Sequence, residues 1–177
     1  MRALLPLLLA LPLAAADEAA VNETPLPSGW TLQLRPQIGV GVTTVGSYQR
    51  NDGIPWGVAG LAGMRVLAGP VPWFAFGVEG SWLSTGLDAN EGPRDLTLMG
   101  PVAEFRFVNL VHLSAGALWA KELNQARVSY FDAAIAMGFE PWADHRWSPM
   151  LVYRSDLIFT SSPTTVRTLA AGLRYTF

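Results

Sequence analysis

The chain of 177 residues contains no cysteine, which excludes a disulfide framework, a thiolate metal site, a cysteine nucleophile and a lipidated cysteine. Charged residues are also scarce, at 15% against about 25% in an average soluble domain. The chain therefore has too few charged groups for a surface that is exposed to water on all sides. The formal net charge of −2 offers no basic face for nucleic acid. Beyond the start of the chain no apolar run reaches the roughly 18 residues that a membrane-spanning helix needs.

The beginning of the chain has the features of an export signal. A positive charge at Arg2 precedes the apolar run Ala3–Leu13, and three alanines before Asp17 resemble a cleavage site. We interpret residues 1–16 as a secretory signal peptide, 17–29 as a periplasmic N-terminal tail and 30–177 as the folded domain. Half of the residues are hydrophobic, so the exported chain must bury them without a membrane helix.

From residue 30 onward, apolar residues alternate with small or polar ones, as they do in a β-strand with two different faces. In the first segment Leu32, Ile38 and Val40 share one face, whereas Gln33 and Arg35 share the other. The pattern recurs until the C-terminus and predicts eight strands, with no helix after the signal peptide. The segments are long for soluble strands and suit tilted membrane-spanning ones.

The chemistry of the two faces distinguishes a membrane barrel from a soluble one such as a lipocalin. One face is aromatic and aliphatic, and the other is glycine, alanine, threonine and serine with scattered charges. The second face suits a narrow polar lumen, so the apolar face must meet lipid. The sequence predicts an all-β protein, a closed eight-stranded antiparallel up-and-down transmembrane β-barrel, in which closure leaves no unpaired edge.

The links and the tryptophans agree with this arrangement. Short periplasmic turns are expected at Ala68–Pro72, Val108–Leu110 and Glu140–Arg146, and the other links are mostly longer. Tryptophans at both strand ends predict two aromatic girdles. The periplasmic girdle comprises Trp30, Trp73, Trp142 and Trp147, and the outer girdle comprises Trp56, Trp82 and Trp119.

Charged residues on the inward face predict a lumen that is plugged by ion pairs, because an unpaired charge in so narrow a space costs several kcal/mol. A conducting, porin-like channel is the alternative. The residues expected in this network are Arg35, Arg65, Glu79, Glu104, Arg106, Asp132, Arg154, Asp156 and Arg174.

The C-terminal segment ends in a phenylalanine, with apolar residues at every second position before it, among them Leu173, Tyr175 and Phe177. This ending resembles the closing strand of bacterial outer-membrane proteins, and the chain is similar to small eight-stranded barrels of the OmpX/Ail and OmpA membrane-domain type. The resemblance implies a Gram-negative outer membrane, both termini in the periplasm, and recognition of these three residues by the barrel-assembly machinery. It implies little about activity.

His112 and Ser114 form the one pair that resembles a catalytic motif, since outer-membrane lipid A deacylases use a His-x-Ser near a strand end. Here the pair faces the lumen at the periplasmic side, and Ala115 replaces the usual asparagine. We therefore expect a lumenal histidine and no enzyme, with lipid A modification as the alternative. The acidic residues of the second outer loop lack calcium-loop spacing, so no metal or other cofactor is predicted.

Two arginines, Arg127 and Arg167, are expected to point outward near the outer membrane surface. A guanidinium there can bind lipopolysaccharide phosphates as a forked donor. The sequence therefore predicts an outer-membrane protein with a structural or surface-interaction role. Its expected partners are outer-membrane lipid, lipopolysaccharide and, during biogenesis, the assembly machinery; the surface partner stays open.

Overall fold

A computed structural model describes residues 29–46, 56–87, 92–107, 110–123 and 128–177. The expected signal peptide, and the expected tail up to residue 28, lie outside the described residues. The described ranges contain no apolar helix of membrane-spanning length.

Eight strands form one closed barrel in which each strand runs antiparallel to the next and the last pairs with the first. The predicted fold class is therefore confirmed. The strands are β1 (Thr31–Val45), β2 (Trp56–Val71), β3 (Phe74–Ser84), β4 (Asp95–Phe107), β5 (Val111–Glu122), β6 (Ser129–Phe139), β7 (Trp147–Phe159) and β8 (Thr164–Thr176).

The barrel has two different ends. At the terminal end β1 begins and β8 finishes, and Phe177 N donates a 2.9 Å hydrogen bond to Leu32 O. At the opposite, loop end β1 finishes and β8 begins. The turn expected at Ala68–Pro72 is shorter than predicted, because β2 continues to Val71. The glycine and proline between Ala68 and Val71 lie within β2, at a shift in its register with β3.

The outer surface is apolar along the strands. Ile38, Val40, Met99 and Ile135 point away from the barrel and are each at least 65% exposed. Such a surface is unfavourable in water, whereas a closed barrel with an apolar exterior satisfies every backbone group in hydrocarbon. The orientation of the two faces is therefore that of a transmembrane barrel, as predicted.

The interior departs from the expected polar lumen in its loop-end half. Leucine side chains fill it and, with Ile158 and Val166, form a layer in which every member is at most 1% exposed. Hydrophobicity alone does not distinguish a lipid-facing leucine from an inward one, so only the strand parity identifies these residues. The leucines of this layer, called the leucine layer below, are Leu61, Leu83, Leu96, Leu98 and Leu118.

Candidate functional site

A central cluster of charges occupies the middle of the interior. Arg154 on β7 donates through Nε to both carboxylate oxygens of Asp156, at 2.8 and 2.9 Å, and through Nη1 to Glu79 on β3. Arg65 on β2 donates through Nε to the other oxygen of Glu79 at 2.7 Å. Since β3 and β7 lie on opposite sides of an eight-stranded barrel, the Arg154–Glu79 pair spans the lumen.

Asp132 lies beside the central cluster but does not behave as the sequence predicts. Its side chain is fully buried and points inward, yet neither carboxylate oxygen has a hydrogen-bond donor among the described residues. Its expected place in the ion-pair network is therefore wrong. The parity of β6 correctly predicts that the side chain of Asp132 points into the lumen. Arg154 does not bind it, because every nitrogen of the Arg154 guanidinium already donates to Glu79 or Asp156.

A second, terminal cluster of charges lies nearer the terminal end. Arg35 Nη1 is 2.7 Å from Glu104 Oε2 and 3.0 Å from Glu140 Oε1. Glu140 Oε2 in turn lies 2.9 Å from Arg174 Nε and 3.2 Å from Arg106 Nη2. Glu140 therefore holds three guanidiniums together from the end of β6, and all of these side chains except that of Arg106 are at most 3% exposed.

Sequence reasoning missed Glu140, which it had placed in a turn. The residue follows directly on Phe139, the end of β6, and continues the inward parity of Asp132, Ala136 and Gly138. That parity was the available signal, but the turn was expected to begin at Glu140 itself.

The electrostatic environment of Glu140 keeps it ionised. Burial by itself raises the pKa of the carboxyl group, but the contact with His112 and the guanidiniums of Arg35, Arg174 and Arg106 outweigh this. Together they hold the pKa of Glu140 well below its ordinary value of 4.5. An anion is therefore fixed at the point where the terminal turn joins the barrel.

The terminal cluster also orders the turn beside it. Arg174 Nη2 donates to the backbone oxygens of Ala143 and His145, at 2.6 and 3.2 Å, and Nη1 donates to Thr176 Oγ1 at 2.8 Å. Because Arg174 also binds Glu140, one side chain links β8 to the turn between β6 and β7. The turn thus depends on the charges inside the barrel.

His112 and Ser114, the pair with a catalytic spacing, both point into the interior and are buried. His112 Nδ1 lies 3.2 Å from Glu140 Oε1, and Nε2 lies 3.8 Å from Glu104 Oε2. Ser114 Oγ accepts a 2.9 Å hydrogen bond from Arg65 Nη1. The histidine is thus directed to carboxylates of the terminal cluster, and the serine to the central cluster.

Ligand atoms of Glu104, His112 and Glu140 lie within 4.8 Å of one another, a spacing that a metal ion could bridge. The guanidiniums of Arg35, Arg106 and Arg174 already contact these two carboxylates. Three fixed positive charges against two carboxylates repel a divalent cation, so the arrangement favours ion pairing over metal binding.

Residues 85–87 and 92–94, the described ends of the link between β3 and β4, lie at the loop end. Leu87 is buried, and Thr85 Oγ1 donates to Pro93 O at 2.5 Å. A β-carbon placed on Gly92 would lie 3.0 Å from Leu87 Cδ1 and 3.6 Å from Thr164 Oγ1. The described ends of this link therefore lie against each other and close to the start of β8.

The residues predicted to face outward are distributed as follows. The seven tryptophans of the expected girdles are exposed, with Trp30, Trp73, Trp142 and Trp147 at the terminal end and Trp56, Trp82 and Trp119 towards the loop end.

Of the two arginines that were expected to point outward, Arg167 is exposed on β8, three residues from its start, whereas Arg127 lies outside the described residues. At the terminal end, the ring of Tyr175 lies 4.4 Å from that of Trp147 and 4.6 Å from that of Phe177, with Leu173 next to them on the same face of β8.

No protein-family model matches the chain, and no curated protein matches it in sequence. Among solved structures, Neisserial surface protein A (NspA) superimposes with a TM-score of 0.53 over 85% of this chain and 98% of that one, at 14% identity. Ail, the attachment invasion locus protein of Yersinia pestis, gives a TM-score of 0.40 at 12% identity, over 85% of this chain and 100% of that one. The likeness to NspA is one of fold, and at that level it confirms the predicted resemblance to small eight-stranded outer-membrane barrels.

Proposed function

We propose that this protein is an integral barrel of a bacterial outer membrane, with a sealed interior and a structural or surface-interaction role. The observation that carries the proposal is the distribution of chemistry in the barrel. Apolar side chains cover the outside, while the leucine layer and two charge clusters fill the inside. Such a molecule offers its ends and its lipid-facing wall to partners, and we expect the part of the barrel that the structure describes to give ions no path between its ends.

Both termini face the periplasm in this proposal, and the loop end faces outward. The natural chain has no cysteine, so single cysteines can report the orientation on intact cells. Ser161, exposed between β7 and β8, and Asp144, exposed in the terminal turn, are suitable sites. A membrane-impermeant thiol reagent should label the Ser161→Cys variant and leave Asp144→Cys unlabelled until the outer membrane is permeabilised. Labelling of Asp144→Cys alone on intact cells would reverse the orientation.

The sealed interior distinguishes this role from that of a small channel. Every member of the leucine layer is at most 1% exposed, and the Arg154–Glu79 pair of the central cluster crosses the lumen beneath it. An ion crossing the barrel would need to displace both. In planar bilayers, the purified protein should therefore give no unitary conductance steps. Steps of one reproducible size that disappear on heat denaturation would favour the channel.

Lipopolysaccharide is the surface component that the exposed arginine suits. Arg167 lies on the lipid-facing wall close to the loop end, between its cross-strand partners Val42 and Ser155. A cation at this depth is tolerated near the headgroups and can bind phosphate. Arg127 has the same expected orientation from the sequence, and the two together form the proposed contact.

We propose that the protein is not an enzyme. His112 is directed to Glu140 and Glu104, and Ser114 accepts from Arg65, so neither side chain is arranged as a nucleophile and its base. The His112→Ala variant should leave the acylation pattern of lipid A unchanged in cells that express the protein. A pattern that differs between wild type and this variant would support the deacylase alternative.

A further inference from the structure

Asp132 is the one member of the predicted network that the described cations leave without a partner. Its side chain is fully buried, and both of its oxygens lack a donor. Its neighbours across the sheet are Leu118 on β5 and Ile158 on β7, which are themselves fully buried. A carboxylate that is ionised and unpaired among such residues would be very unfavourable.

The surrounding charges are already balanced. Arg65 and Arg154 face Glu79 and Asp156, and each of these carboxylates accepts a hydrogen bond from a guanidinium. Glu79 also accepts from Ser81 Oγ at 2.9 Å. Two positive and two negative charges thus cancel within the central cluster, and an ionised Asp132 would add an uncompensated negative charge.

Asp156 lies two residues before Ile158, the cross-strand partner of Asp132, and points inward on the same face, so the two carboxyl groups are diagonal neighbours on adjacent strands, close enough for a hydrogen bond between them. Two ionised carboxylates have only acceptors, so such a contact forms when one of them carries a proton. Both oxygens of Asp156 already accept hydrogen bonds from Arg154, whereas no donor reaches either oxygen of Asp132 among the described residues. The proton therefore belongs on Asp132.

We propose that Asp132 and Asp156 form a proton-binding site in the sealed interior, where a neutral Asp132 donates its proton to the ionised Asp156. The site takes one hydrogen ion at neutral pH and has no other ligand. This inference goes beyond the proposed role of the barrel, because it concerns the state of the interior whatever the outer surface contacts.

Infrared spectroscopy of the wild-type protein tests the proton directly. At pH 7 the spectrum should contain the carbonyl stretch of a protonated carboxylic acid, and labelling the aspartates with ¹³C at the carboxyl carbon should shift it. The band should be absent from the Asp132→Asn variant. A wild-type spectrum without an aspartic-acid band at pH 7 would overturn the proposal, even if the variant did not fold.

The stability of the Asp132→Asn variant gives a second, independent readout. An aspartate in the unfolded chain ionises above about pH 4, whereas the folded barrel keeps Asp132 neutral, so a higher pH favours the unfolded wild type. Asparagine has no proton to lose. The unfolding constant of the wild type relative to the variant should therefore rise by about tenfold per pH unit above pH 4.

Asp156→Asn is the matched comparison, since it removes the carboxylate that Arg154 binds; it should destabilise the barrel at pH 7, whereas Asp132→Asn should not. A less stable Asp132→Asn variant at pH 7 would mean that Asp132 is ionised and needed as an anion. Wild-type stability that depends on Na⁺, when compared with an equal concentration of choline, would place a cation where we infer the proton. Either result would overturn the proposal.

Discussion

The imidazole ring of His112 lies against its cross-strand partner Gly138 and occupies the space that a side chain at that position would need. A β-carbon on Gly138 would lie 2.0 Å from His112 Cε1 and 2.1 Å from Nε2. The glycine thus allows the ring to reach Glu140, which lies two residues further along the same inward face. The terminal cluster depends on the absence of a side chain as well as on the presence of charges.

Gly138→Ala should destabilise the barrel by about 1–3 kcal/mol, because the added methyl group forces the buried ring away from Glu140. Urea unfolding in detergent micelles, followed by tryptophan fluorescence, measures the change. Gly80→Ala is the matched control, since a β-carbon on Gly80 would meet nothing within 4 Å. The loss should shrink in a His112→Ala background, and an equal loss in both backgrounds would contradict the role of the ring.

Glu140→Gln should be the most damaging single change in the terminal cluster. It removes the anion that contacts Arg35, Arg106 and Arg174, and breaking a buried pair from one side typically costs about 3–5 kcal/mol. The free energy of unfolding at pH 7 measures it. Asp144→Asn, an exposed change in the same turn, should cost little.

The pH dependence of this variant follows from the lowered pKa of Glu140. A carboxyl group whose pKa is lower in the folded state contributes stability above its unfolded value, here 4.5, and loses it as the pH falls. The stability gap between wild type and Glu140→Gln should therefore be full at pH 7 and narrow progressively below pH 4.5. A gap that stays constant down to pH 3 would mean that the charge of Glu140 is not what stabilises the turn.

Strand parity predicted the barrel and the inward direction of its charged side chains because a period of two has only one way to separate lipid from lumen. Parity could not predict which of the inward charged side chains pair with one another. Arg35 and Glu104 are separated by 69 residues and lie on strands that do not pair, so their 2.7 Å contact depends on the curvature of the closed sheet. The same limit explains why Asp132 was expected to have a cation beside it.

The leucine layer marks a second limit. Leu113 and Leu118 are both leucines on β5, but Leu113 lies on the outer, lipid-facing surface and Leu118 is fully buried inside the barrel. The interior was expected to be polar because of its charges, but one half of it is apolar. The inward leucines were missed because they are recognised only when the parity of each strand is followed to its end. The sealed lumen that we propose depends on both halves.

Leu118→Ala should destabilise the barrel by about 2–5 kcal/mol, because it leaves a cavity among side chains of the leucine layer that are at most 1% exposed. Leu113→Ala is the matched change on the same strand, and lipid or detergent can fill the space it leaves. We expect it to cost less than half as much. Unfolding by urea in micelles compares the two, and equal losses would argue against a closely packed leucine layer.

Lipopolysaccharide should stabilise the wild type more than it stabilises the Arg127→Glu/Arg167→Glu double variant. Arg167 is exposed on the wall near the loop end, and hydrogen bonds to a charged group contribute about 1.5–3 kcal/mol each. The measurement is the difference in thermal unfolding between vesicles with and without lipopolysaccharide. Arg146→Glu, an exposed arginine at the terminal end, is the control and should keep the wild-type response, because its end of the barrel faces the other leaflet in our proposal. If lipopolysaccharide stabilises the double variant and the wild type equally, the outward arginines do not bind its phosphates.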